Sequence, residues 1–305
     1  MIPAAASYLR SVFSKDPRDV PVLLPTAFWI VCGVDLAHKL IPDSAPLSES
    51  EKCKTLQLLS LCWRGVGWSA SSDRFAPFSV LATLSAIQIL VILNEPIPDR
   101  ELIIERLKAG VSENGVSMSC DRRERGDIRF TYCLISCLHL LGVSLDDVCE
   151  PLSEFIHNCQ APEGGFSCAP SGEAHGGHTF CAIASLGLLG VRVKREGLLR
   201  DWLDRRGGIP GRVTDRVDQP SEPCTFNGRP CKQSDICYGW WVGATVAMLG
   251  PGNFSNQLDL TSHNQAGGGF SPRPGEPADF FHTFFGLASL ALAKKLINPF
   301  TALPK

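Results

Sequence analysis

The sequence lacks an excess of charge of either sign. Its 29 lysines and arginines nearly balance its 31 aspartates and glutamates, and the net charge is -2. This balance gives no reason to expect a nucleic acid or an anionic membrane surface as a partner. The sequence also lacks a membrane-length apolar run. Its longest apolar segment, residues 78–93, falls short of the ~20 apolar residues that a membrane span needs. The segment also contains four polar residues: Ser79, Thr83, Ser85 and Gln88.

The amino terminus, M-I-P-A-A-A-S-Y-L-R, lacks a charged leader followed by a sustained apolar stretch, so no signal peptide is expected. The 13 cysteines are odd in number and scattered through apolar segments, unlike those of a short disulfide scaffold. These features predict reduced thiols and a soluble, cytoplasmic protein. The 305 residues, 44% of them hydrophobic, can bury one large core, and we predict a single domain over residues 1–305.

Glycine-centred turns recur about every 50 residues, a spacing typical of stacked structural repeats. They are W-R-G-V-G-W at Gly67, S-E-N-G-V-S at Gly115, P-E-G-G-F-S at Gly164, R-R-G-G-I-P at Gly207 and A-G-G-G-F-S at Gly268. After most of these turns, a short polar gap leads into a stretch that is apolar nearly all round and therefore predicts a buried helix. Between these stretches, residues 99–109 and 146–159 are amphipathic and predict an outer, half-exposed layer.

A buried helix that alternates with an amphipathic one at this period predicts stacked helical hairpins. Because the inner helices are the more apolar, closure into an all-α α/α toroid, a barrel of hairpins, is favoured over an open solenoid. The turns before the inner helices would then share one rim. Five side chains fall at or near the start of an inner helix and would meet there: Arg129, His175, Asp235, Cys237 and His282.

Asp235, Cys237 and His282 form a three-ligand set suited to zinc. A carboxylate, a thiolate and an imidazole are ligands of zinc, and three protein ligands leave a fourth position open for chemistry. Residues two apart point to opposite sides of a helix. Asp235 and Cys237 can therefore share a metal only if Asp235 precedes the helix and Cys237 lies in its first turn. Asp279 could accept the other imidazole N–H of His282. Each residue alone also fits a helix cap, a buried thiol or a core histidine.

Arg229 and Lys232 lie in G-R-P-C-K, a glycine- and proline-shaped loop just before this set. Arginine suits bidentate contact with phosphate, and lysine adds a point charge. Taken alone, such a loop is usually a solvated surface. Beside His175 and a metal that can activate a thiol, it predicts transfer of a group from a diphosphate to sulfur. Three more residues could contact the ligand, two because they let it approach the backbone and one through a phenolic hydroxyl: Gly176, Gly177 and Tyr238.

The remaining histidines and one cysteine pair receive a structural interpretation. Three histidines in polar contexts are expected at the surface: His38, His157 and His263. His139, inside an apolar stretch, is expected to be a hydrogen-bonded core residue. His178 is close enough to His175 that a role stays open. Cys224 and Cys231 could bind a metal, but no second pair completes a zinc set.

Five motifs together resemble the β subunits of protein prenyltransferases. They are G-D-I-R-F-T-Y-C, C-Q-A-P-E-G-G-F-S, E-A-H-G-G-H-T-F-C-A-I-A-S-L, G-R-P-C-K-Q-S-D-I-C-Y-G-W-W and P-A-D-F-F-H-T-F-F-G-L. The resemblance runs from about A-F-W-I-V-C-G-V-D-L to the carboxyl terminus and is strongest from Gly126 onward. It implies an α/α toroid that works as a heterodimer with a helical-repeat α subunit and transfers a prenyl group to a cysteine thiol.

The resemblance also implies roles for individual residues. The zinc ligands of the family match Asp235, Cys237 and His282. Its diphosphate-binding positions match His175, Arg229, Lys232 and Tyr238. Positions that line its isoprenoid and acceptor cavity match Arg129, Tyr132 and Trp241. The implied reaction is attack of a zinc-bound thiolate on C1 of the prenyl diphosphate, while the cations stabilise the departing diphosphate.

Within the family, the resemblance favours geranylgeranyltransferase type I, whose acceptors are proteins such as small GTPases that end in a Cys-a-a-X box. Pro25 matches a position at which farnesyltransferase has a tryptophan that shortens the isoprenoid cavity. The expected donor is therefore geranylgeranyl diphosphate. Pro272 stands where farnesyltransferase has an aspartate linked to magnesium, so magnesium is not expected to be required.

Other interpretations stay open. L-S-A-I-Q-I-L and R-P-G-E-P-A-D-F-F-H-T-F-F resemble the type II (Rab) enzyme, and farnesyltransferase is the third member of the family. The chain could also be a non-catalytic α/α scaffold. Measurement of its zinc content would distinguish such a scaffold from a zinc enzyme. A related terpene cyclase would need an acidic run such as D-x-D-D, which the sequence does not contain.

Overall fold

The computed structural model describes residues 1–11, 23–207, 226–250 and 260–305. In these ranges the chain is all-α, with isolated β-bridges between turns. The helices are α1 Ile2–Arg10, α2 Leu23–Leu40, α3 Glu49–Cys62, α4 Val80–Leu93, α5 Arg100–Ala109, α6 Ile128–Leu140, α7 Asp146–Asn158, α8 Gly176–Leu188, α9 Glu196–Asp204, α10 Tyr238–Met248 and α11 Phe280–Ala293, with a short 3₁₀ turn at Thr261–His263.

Six of these helices form a closed ring. In the order α2, α4, α6, α8, α10 and α11, each packs against the next, and α11 packs back against α2. Outer helices α3, α5 and α7 lie against α2, α6 and α8. Between successive inner helices from α2 to α10 an outer helix returns the chain, so these inner helices run parallel and their N-termini meet at one end, here called the rim. The start of α11 lies at the same end, because His282 in its first turn lies 3.3 Å from Asp235 before α10. The predicted closure into an α/α toroid is confirmed.

The inner helices are buried on nearly every side, as their composition predicts. In α4 the side chains from Ala82 to Leu90 are all buried. Small residues allow neighbouring segments to approach closely. At Gly286 of α11, for example, a side chain would begin 2.7 Å from the ring of Phe270. The ring is therefore held by apolar burial between helices that are only weakly amphipathic.

A repeated hydrogen bond joins four of the glycine turns to the inner helices that follow them. The backbone N–H of the apolar residue after the turn donates to a threonine hydroxyl in the first turn of the helix, at 2.9 to 3.2 Å. The pairs are Trp68 with Thr83, Val116 with Thr131, Phe166 with Thr179 and Phe270 with Thr283. All four threonines are fully buried. Each threonine satisfies a buried N–H that would otherwise lack a partner, so the turn is fixed relative to the inner helix.

Helix α1 closes the outer layer where the two ends of the chain meet. It packs against α2 and α11, and the Tyr8 hydroxyl donates to the carbonyl oxygen of Ala278 at 2.8 Å. Gly268 has a positive φ of 96°, and a side chain there would lie 2.5 Å from the carbonyl oxygen of Ala4. Only glycine combines this conformation with so close an approach.

The longest apolar helix is α2, not the segment at residues 78–93 that the sequence suggested. By length and composition α2 could cross a membrane, but 78% of its window is buried inside the fold. Burial of that extent is typical of a core helix in a closed ring.

Two histidine predictions were wrong. His139 is exposed on α6, because its position near the end of the helix turns it away from the ring. His263 is only 3% exposed, and its Nδ1 lies 3.1 Å from the carbonyl oxygen of Ser271. The 3₁₀ turn that contains His263 packs beneath the glycine turn at Gly268. His263 is therefore buried although its neighbours in the sequence are polar. His38 and His157 are half-buried.

Candidate active site

The rim is built from helix caps. Asp127 and Asp279 accept hydrogen bonds from backbone N–H groups in the first turns of α6 and α11. His175 caps α8 in the same way, because its Nδ1 accepts the N–H of Gly177 at 3.1 Å. Unpaired N–H groups at each helix start require such partners. Capping of the parallel inner helices therefore gathers polar side chains at one end of the ring.

Asp235, Cys237 and His282 lie together at the rim. One ligand atom of each, a carboxylate oxygen, the thiol sulfur and an imidazole nitrogen, lies within 4.8 Å of the other two. Asp235 precedes α10, and its Oδ1 accepts the backbone N–H of Cys237 at 2.9 Å. Cys237 has helical dihedrals and lies just before α10, one position earlier than predicted. An aspartate outside the helix thus lets two residues that are two apart face the same point.

Asp279 orients His282. Its Oδ2 lies 2.6 Å from Nδ1 of His282, while Nε2 of the same ring lies 3.3 Å from Oδ1 of Asp235. One ring nitrogen therefore contacts a carboxylate outside the three-residue cluster, and the other faces into it. Such a carboxylate partner fixes the tautomer and the ring orientation of a metal-binding histidine.

The three donors shift one another's pKa values. Burial alone would lower the pKa of His282, but hydrogen bonds to Asp235 and Asp279 raise it to about 9. Burial would raise the pKa of Asp235, yet hydrogen bonds from His282 and Cys237 bring it below its usual value. Burial and then the Asp235 carboxylate raise the pKa of the Cys237 thiol strongly. A carboxylate, a thiol and an imidazole converging in this way are a donor set that fits zinc.

An open pocket of about 430 Å³ adjoins the cluster. Three cationic side chains border it: Arg229 and Lys232 on the loop before α10, and Arg273 on the loop before α11. Charge-assisted hydrogen bonds from arginine and lysine are strong partners for phosphate oxygens. The remaining lining residues are His175, Gly228, Cys231, Gln233, Asp235 and Tyr238. The pocket is therefore suited to an anion with several oxygens, placed directly beside the candidate metal ligands.

Arg273 was not predicted from the sequence. It lies 4.0 Å from the carboxylate of Asp235 and 3.0 Å from that of Glu276. Its Nε is buried and has no hydrogen-bond partner among the described residues. Arg273 begins the motif R-P-G-E-P-A-D-F-F-H-T-F-F, but no role was expected for that arginine, and the available signal was its position directly after Pro272. Arg229 is also paired, with Glu173 at 2.5 Å.

His175 and Tyr238 form a hydrogen-bonded pair at the edge of the pocket. Because Nδ1 of His175 accepts from Gly177, the proton of the neutral ring lies on Nε2, which donates to the Tyr238 hydroxyl at 3.0 Å. Burial and then the charge of Arg229 lower the pKa of His175, which favours the neutral ring. The Tyr238 oxygen accepts this bond, so its own proton can be donated into the pocket.

The two glycines after His175, predicted to let a ligand approach the backbone, lie in different surroundings. Gly176 is buried and its N–H donates to the carbonyl oxygen of Gly228 at 2.7 Å. A side chain at Gly176 would begin 3.2 Å from the ring of Tyr238. Gly176 therefore lets the Gly228 loop and Tyr238 pack closely on α8. Gly177 is half-buried and has only the His175 ring nearby.

Aromatic side chains line the inside of the ring. Tyr132 on α6 packs edge-on against Phe180 on α8, and Phe180 packs against Trp241 on α10. Trp241 contacts Phe285 on α11, which contacts Trp29 on α2. These contacts continue across five of the six inner helices. Tyr132 and Trp241, predicted as cavity residues, belong to this aromatic wall, whereas Trp29 was not predicted.

Arg129 and His178 lie at the rim beside the wall. Arg129 is exposed, and its guanidinium pairs with Asp127 at 2.7 Å. The ring centre of His178 lies 4.9 Å from that of His175. Burial lowers the pKa of His178 to about 4, and its buried Nδ1 has no partner in the part of the chain that the structure describes. Neither residue borders the 430 Å³ pocket.

The structure describes both prolines on which the predicted subtype depends. Pro25 is buried in the first turn of α2. Pro272 accepts the backbone N–H of Ile236 at 3.1 Å and so ties the loop before α11 to the loop of Asp235. Cys224 lies outside the described residues, and Cys231 is exposed at the pocket.

Comparison with known proteins gives a consistent set of similarities. The prenyltransferase alpha-alpha toroid domain family matches residues 5–303. The geranylgeranyl transferase type-2 subunit beta of Saccharomyces cerevisiae is 33% identical over 239 residues, which are 74% of this chain and 70% of that protein. The geranylgeranyl transferase type-1 subunit beta of Arabidopsis thaliana is 28% identical over 70% of this chain and 58% of its own length. The protein farnesyltransferase subunit beta of Schizosaccharomyces pombe is 32% identical over 57% and 48%.

A solved structure has the same fold. Candida albicans protein geranylgeranyltransferase-I complexed with GGPP superimposes with a TM-score of 0.79 at 22% identity, covering 100% of this chain and 96% of that chain. At this identity the likeness is one of fold. The chain spans between 48% and 70% of the length of the three curated relatives named above.

Proposed function

The chain belongs to the prenyltransferase alpha-alpha toroid family, and we propose that it is the catalytic β subunit of a protein geranylgeranyltransferase. Its curated relatives are β subunits of protein prenyltransferases. We propose an α subunit as its partner, geranylgeranyl diphosphate as its donor and a protein cysteine as its acceptor. The acceptor cysteine would belong to a C-terminal Cys-a-a-X box, as in the type I enzyme.

One observation carries the proposal: a three-donor cluster adjoins, through Asp235, a pocket bordered by three cations. Asp235, Cys237 and His282 converge within 4.8 Å, and Asp235 also lines the pocket with Arg229 and Arg273. A scaffold protein would have no need of a buried thiol, carboxylate and imidazole at this point. Alkylation of a thiol by a diphosphate ester needs both parts of this arrangement: the metal ligands that activate the thiol and the cations that bind the diphosphate.

The cationic pocket is suited to the diphosphate of the donor. Arg229, Lys232 and Arg273 would neutralise its charge, and Tyr238 would donate a hydrogen bond to the oxygen that leaves C1. The neutral His175 holds that hydroxyl by donating to it. In the reaction a bond forms between the acceptor sulfur and C1, the C1–O bond breaks, and diphosphate departs into the pocket. Donors already in place for the charge that develops lower the barrier.

The cluster is suited to the acceptor thiol. Zinc held by Asp235, Cys237 and His282 would leave one position for the thiol and favour its thiolate form near neutral pH. Asp279 keeps the imidazole of His282 in the orientation that such binding needs. The aromatic wall below the rim offers an apolar surface for the isoprenoid.

We further propose that magnesium is not required. Pro272 offers no carboxylate, and the next residue, Arg273, brings a guanidinium to the pocket. A fixed guanidinium there would neutralise charge on the diphosphate that a magnesium ion would otherwise neutralise.

A second candidate is the type II enzyme. The similarity to the type-2 subunit of Saccharomyces cerevisiae, at 33% identity over 74% of this chain, favours it. The type II proposal differs from the type I proposal in the acceptor, a Rab protein presented by an escort protein, and shares the donor and the site.

The test uses the enzyme purified with its α subunit. Farnesyl and geranylgeranyl diphosphates compete for acceptor peptides that end in Leu, Ser or Met, and for an escorted Rab protein. We expect geranylgeranyl transfer to a Cys-a-a-Leu peptide. Transfer only to the escorted Rab protein would favour type II, and preference for farnesyl diphosphate would contradict both geranylgeranyl proposals.

Zinc content tests the site independently of the acceptor. Cys237→Ala and His282→Ala should lose most of the metal and the transfer activity while prenyl diphosphate still binds. Cys53→Ala, at an exposed cysteine of outer helix α3, is the matched control and should retain zinc. Full zinc occupancy in the Cys237 or His282 variant would exclude these ligands.

A further inference from the structure

Tyr8 on helix α1 contacts the chain on both sides of Asp279. Its hydroxyl donates to the carbonyl oxygen of Ala278, the residue before Asp279, at 2.8 Å. Its ring packs against that of Phe280, the residue after Asp279, with 5.1 Å between the ring centres. Tyr8 belongs to none of the five motifs and lies before the region that resembles the prenyltransferases. It nevertheless holds the segment from which Asp279 reaches His282.

The peptide unit between Ala278 and Asp279 is held at both of its polar atoms. The N–H of Asp279 donates to the carbonyl oxygen of Phe270 at 3.3 Å, while the carbonyl oxygen of Ala278 accepts from Tyr8 at 2.8 Å. Because a peptide unit is planar, the two bonds together fix the direction in which the chain enters Asp279. The bond from the Tyr8 hydroxyl is the shorter, and it is the tighter restraint on this unit.

The glycine turn at Gly268 leaves the room that Tyr8 needs. A side chain at the next residue, Gly269, would begin 2.8 Å from the ring of Tyr8 and 2.8 Å from the side chain of Ala278. Tyr8 is half-buried between this turn and the start of α11. The absence of a side chain at Gly269 therefore permits the contact between α1 and the segment that carries Asp279.

The carboxylate of Asp279 depends on its backbone for its position. Its Oδ1 accepts the N–H of His282 at 2.8 Å, and its Oδ2 lies 2.6 Å from Nδ1 of the same residue. The side chain of Asp279 is 47% exposed, so packing around the carboxylate contributes little to holding it. A rotation of the peptide unit before Asp279 would move both oxygens relative to the imidazole.

We propose that Tyr8 is a positioning residue for the candidate metal site and acts through Asp279. This proposal rests on the proposed function, since it takes Asp235, Cys237 and His282 as zinc ligands. The Tyr8 hydroxyl fixes the peptide unit before Asp279, and Asp279 in turn fixes the imidazole of His282. Because a ring held in this orientation loses less freedom when the metal binds, the Tyr8 hydroxyl raises the affinity for zinc.

The experiment measures zinc affinity by competition with a metal-binding dye, on enzyme purified with its α subunit and stripped of metal. No prenyl donor or acceptor is present, so the readout does not depend on transfer. Tyr8→Phe removes the hydroxyl and keeps the ring. It should weaken zinc binding about fivefold, less than the roughly tenfold to hundredfold loss that is typical when a ligand loses its direct partner.

A double-mutant cycle tests whether Tyr8 acts through Asp279. Asp279→Asn should itself weaken zinc binding about tenfold or more. In the Asp279→Asn protein, Tyr8→Phe should then change the affinity little, because a residue that acts only through this carboxylate has no further effect once the carboxylate is gone. An equal effect of Tyr8→Phe with and without the carboxylate would mean that Tyr8 only holds α1 in place, and the proposal would fail.

Arg10→Gln is the matched control on the same helix. The Arg10 guanidinium donates to the carbonyl oxygens of Ala45 and Pro46, both at 2.8 Å, so this variant loosens α1 at the loop before α3. It should bind zinc like the wild type, and a loss equal to that of Tyr8→Phe would contradict the proposal. Unchanged zinc affinity in Tyr8→Phe would also contradict it and leave the metal site standing. Wild-type enzyme that binds no zinc would contradict both this proposal and the metal site of the proposed function.

Discussion

At the scale of single residues, two side chains of the candidate site, His282 and Tyr238, are held by residues that also cap inner helices. Asp279 caps α11 and also holds the ring of His282. His175 caps α8 with one nitrogen and donates to Tyr238 with the other. The same polar atoms thus satisfy the helix ends and orient the reactive groups, which is the preorganisation that transition-state stabilisation needs.

Arg273→Gln should weaken donor binding. Removing one charge-assisted contact to the diphosphate costs about 1.5–3 kcal/mol, or roughly tenfold to a hundredfold in affinity. Added magnesium should restore part of the loss if Arg273 supplies charge that a metal can replace. Donor titration with and without magnesium measures both effects.

Arg205→Gln is the control for Arg273, because Arg205 is exposed beside α9 and, among the described residues, its guanidinium donates to the carbonyl oxygen of Asp201 in its own helix. It should bind the donor like the wild type, and zinc content should be unchanged in both variants. Unaltered donor affinity in Arg273→Gln would show that this guanidinium serves only Glu276 and Asp235.

His178 gives a pH-dependent contribution to stability. Burial and then His175 lower its pKa to about 4, with Asp127 opposing and Arg129 adding to the shift. An unfolded histidine has a pKa of about 6.5, so between these values the unfolded chain binds a proton that the folded chain does not. The contribution is complete above pH 6.5 and is lost as the pH falls through about 4.

His178→Gln should therefore show a smaller fall in the free energy of unfolding between about pH 7 and about pH 5 than the wild type. Urea unfolding at the two pH values measures the difference. His139→Gln, at an exposed histidine of α6, should behave like the wild type. Equal pH dependence in all three proteins would mean that His178 is protonated in the folded state without cost.

The sequence indicated the candidate ligands but not every contact around them. The candidate ligands occupy the same position in successive repeats, at the starts of inner helices: Asp235, Cys237 and His282. Because the repeat is visible in a single sequence, this position could be recognised without an alignment. Arg273 was missed because it lies on a loop outside that periodicity. Its role depends on the Ile236–Pro272 backbone bond that brings the loop to the pocket. Such pairings between distant loops leave no local pattern.

At the scale of elements, the threonine bonds join four of the glycine turns to inner helices α4, α6, α8 and α11, and each such pair forms one unit. Thr83→Val removes the acceptor of the Trp68 N–H, which is buried and would be left unsatisfied. We expect the free energy of unfolding to fall by about 1–3 kcal/mol, measured by urea unfolding.

Thr245→Val is the matched control for this substitution. Thr245 is also fully buried, but its hydroxyl donates only to the carbonyl oxygen of Trp241 in its own helix. That oxygen belongs to the backbone of α10, so the loss should be smaller. Equal losses in the two variants would contradict a special role for the turn bond.

The sequence predicted five of the six inner helices because a glycine turn precedes most of them and β-branched and small apolar residues fill them. Helix α2 was not recognised as the sixth, since no such turn marks its start in the sequence. The outer helices α5 and α7 were predicted from amphipathicity within one or two residues of their ends. The prediction of ring closure depended only on the inner helices being more apolar than the outer ones. The sequence around α11 did not indicate which helix packs against it to close the ring.

At the scale of the whole molecule, closure joins the first helix to the last. α1 supplies an outer cover where α11 meets α2, and Leu9 is fully buried there. Gly33 of α2 makes the close approach possible, because a side chain at that position would begin 2.5 Å from Leu9. The ring is thus completed by residues from opposite ends of the chain, and no repeat is left as a free end at this point.

Leu9→Ala tests what closure contributes. Loss of a fully buried leucine side chain should lower the free energy of unfolding by about 2–5 kcal/mol. Leu61→Ala, at a leucine that is 57% exposed on α3, should lower it far less. In an open stack of repeats the damage at one end would melt that end first. In a closed ring the midpoints seen by far-ultraviolet circular dichroism and by tryptophan fluorescence should move together. Early loss of helix signal, with the fluorescence of Trp202 and Trp240 unchanged, would mean that α1 is an appendage and that the ring is stable without it.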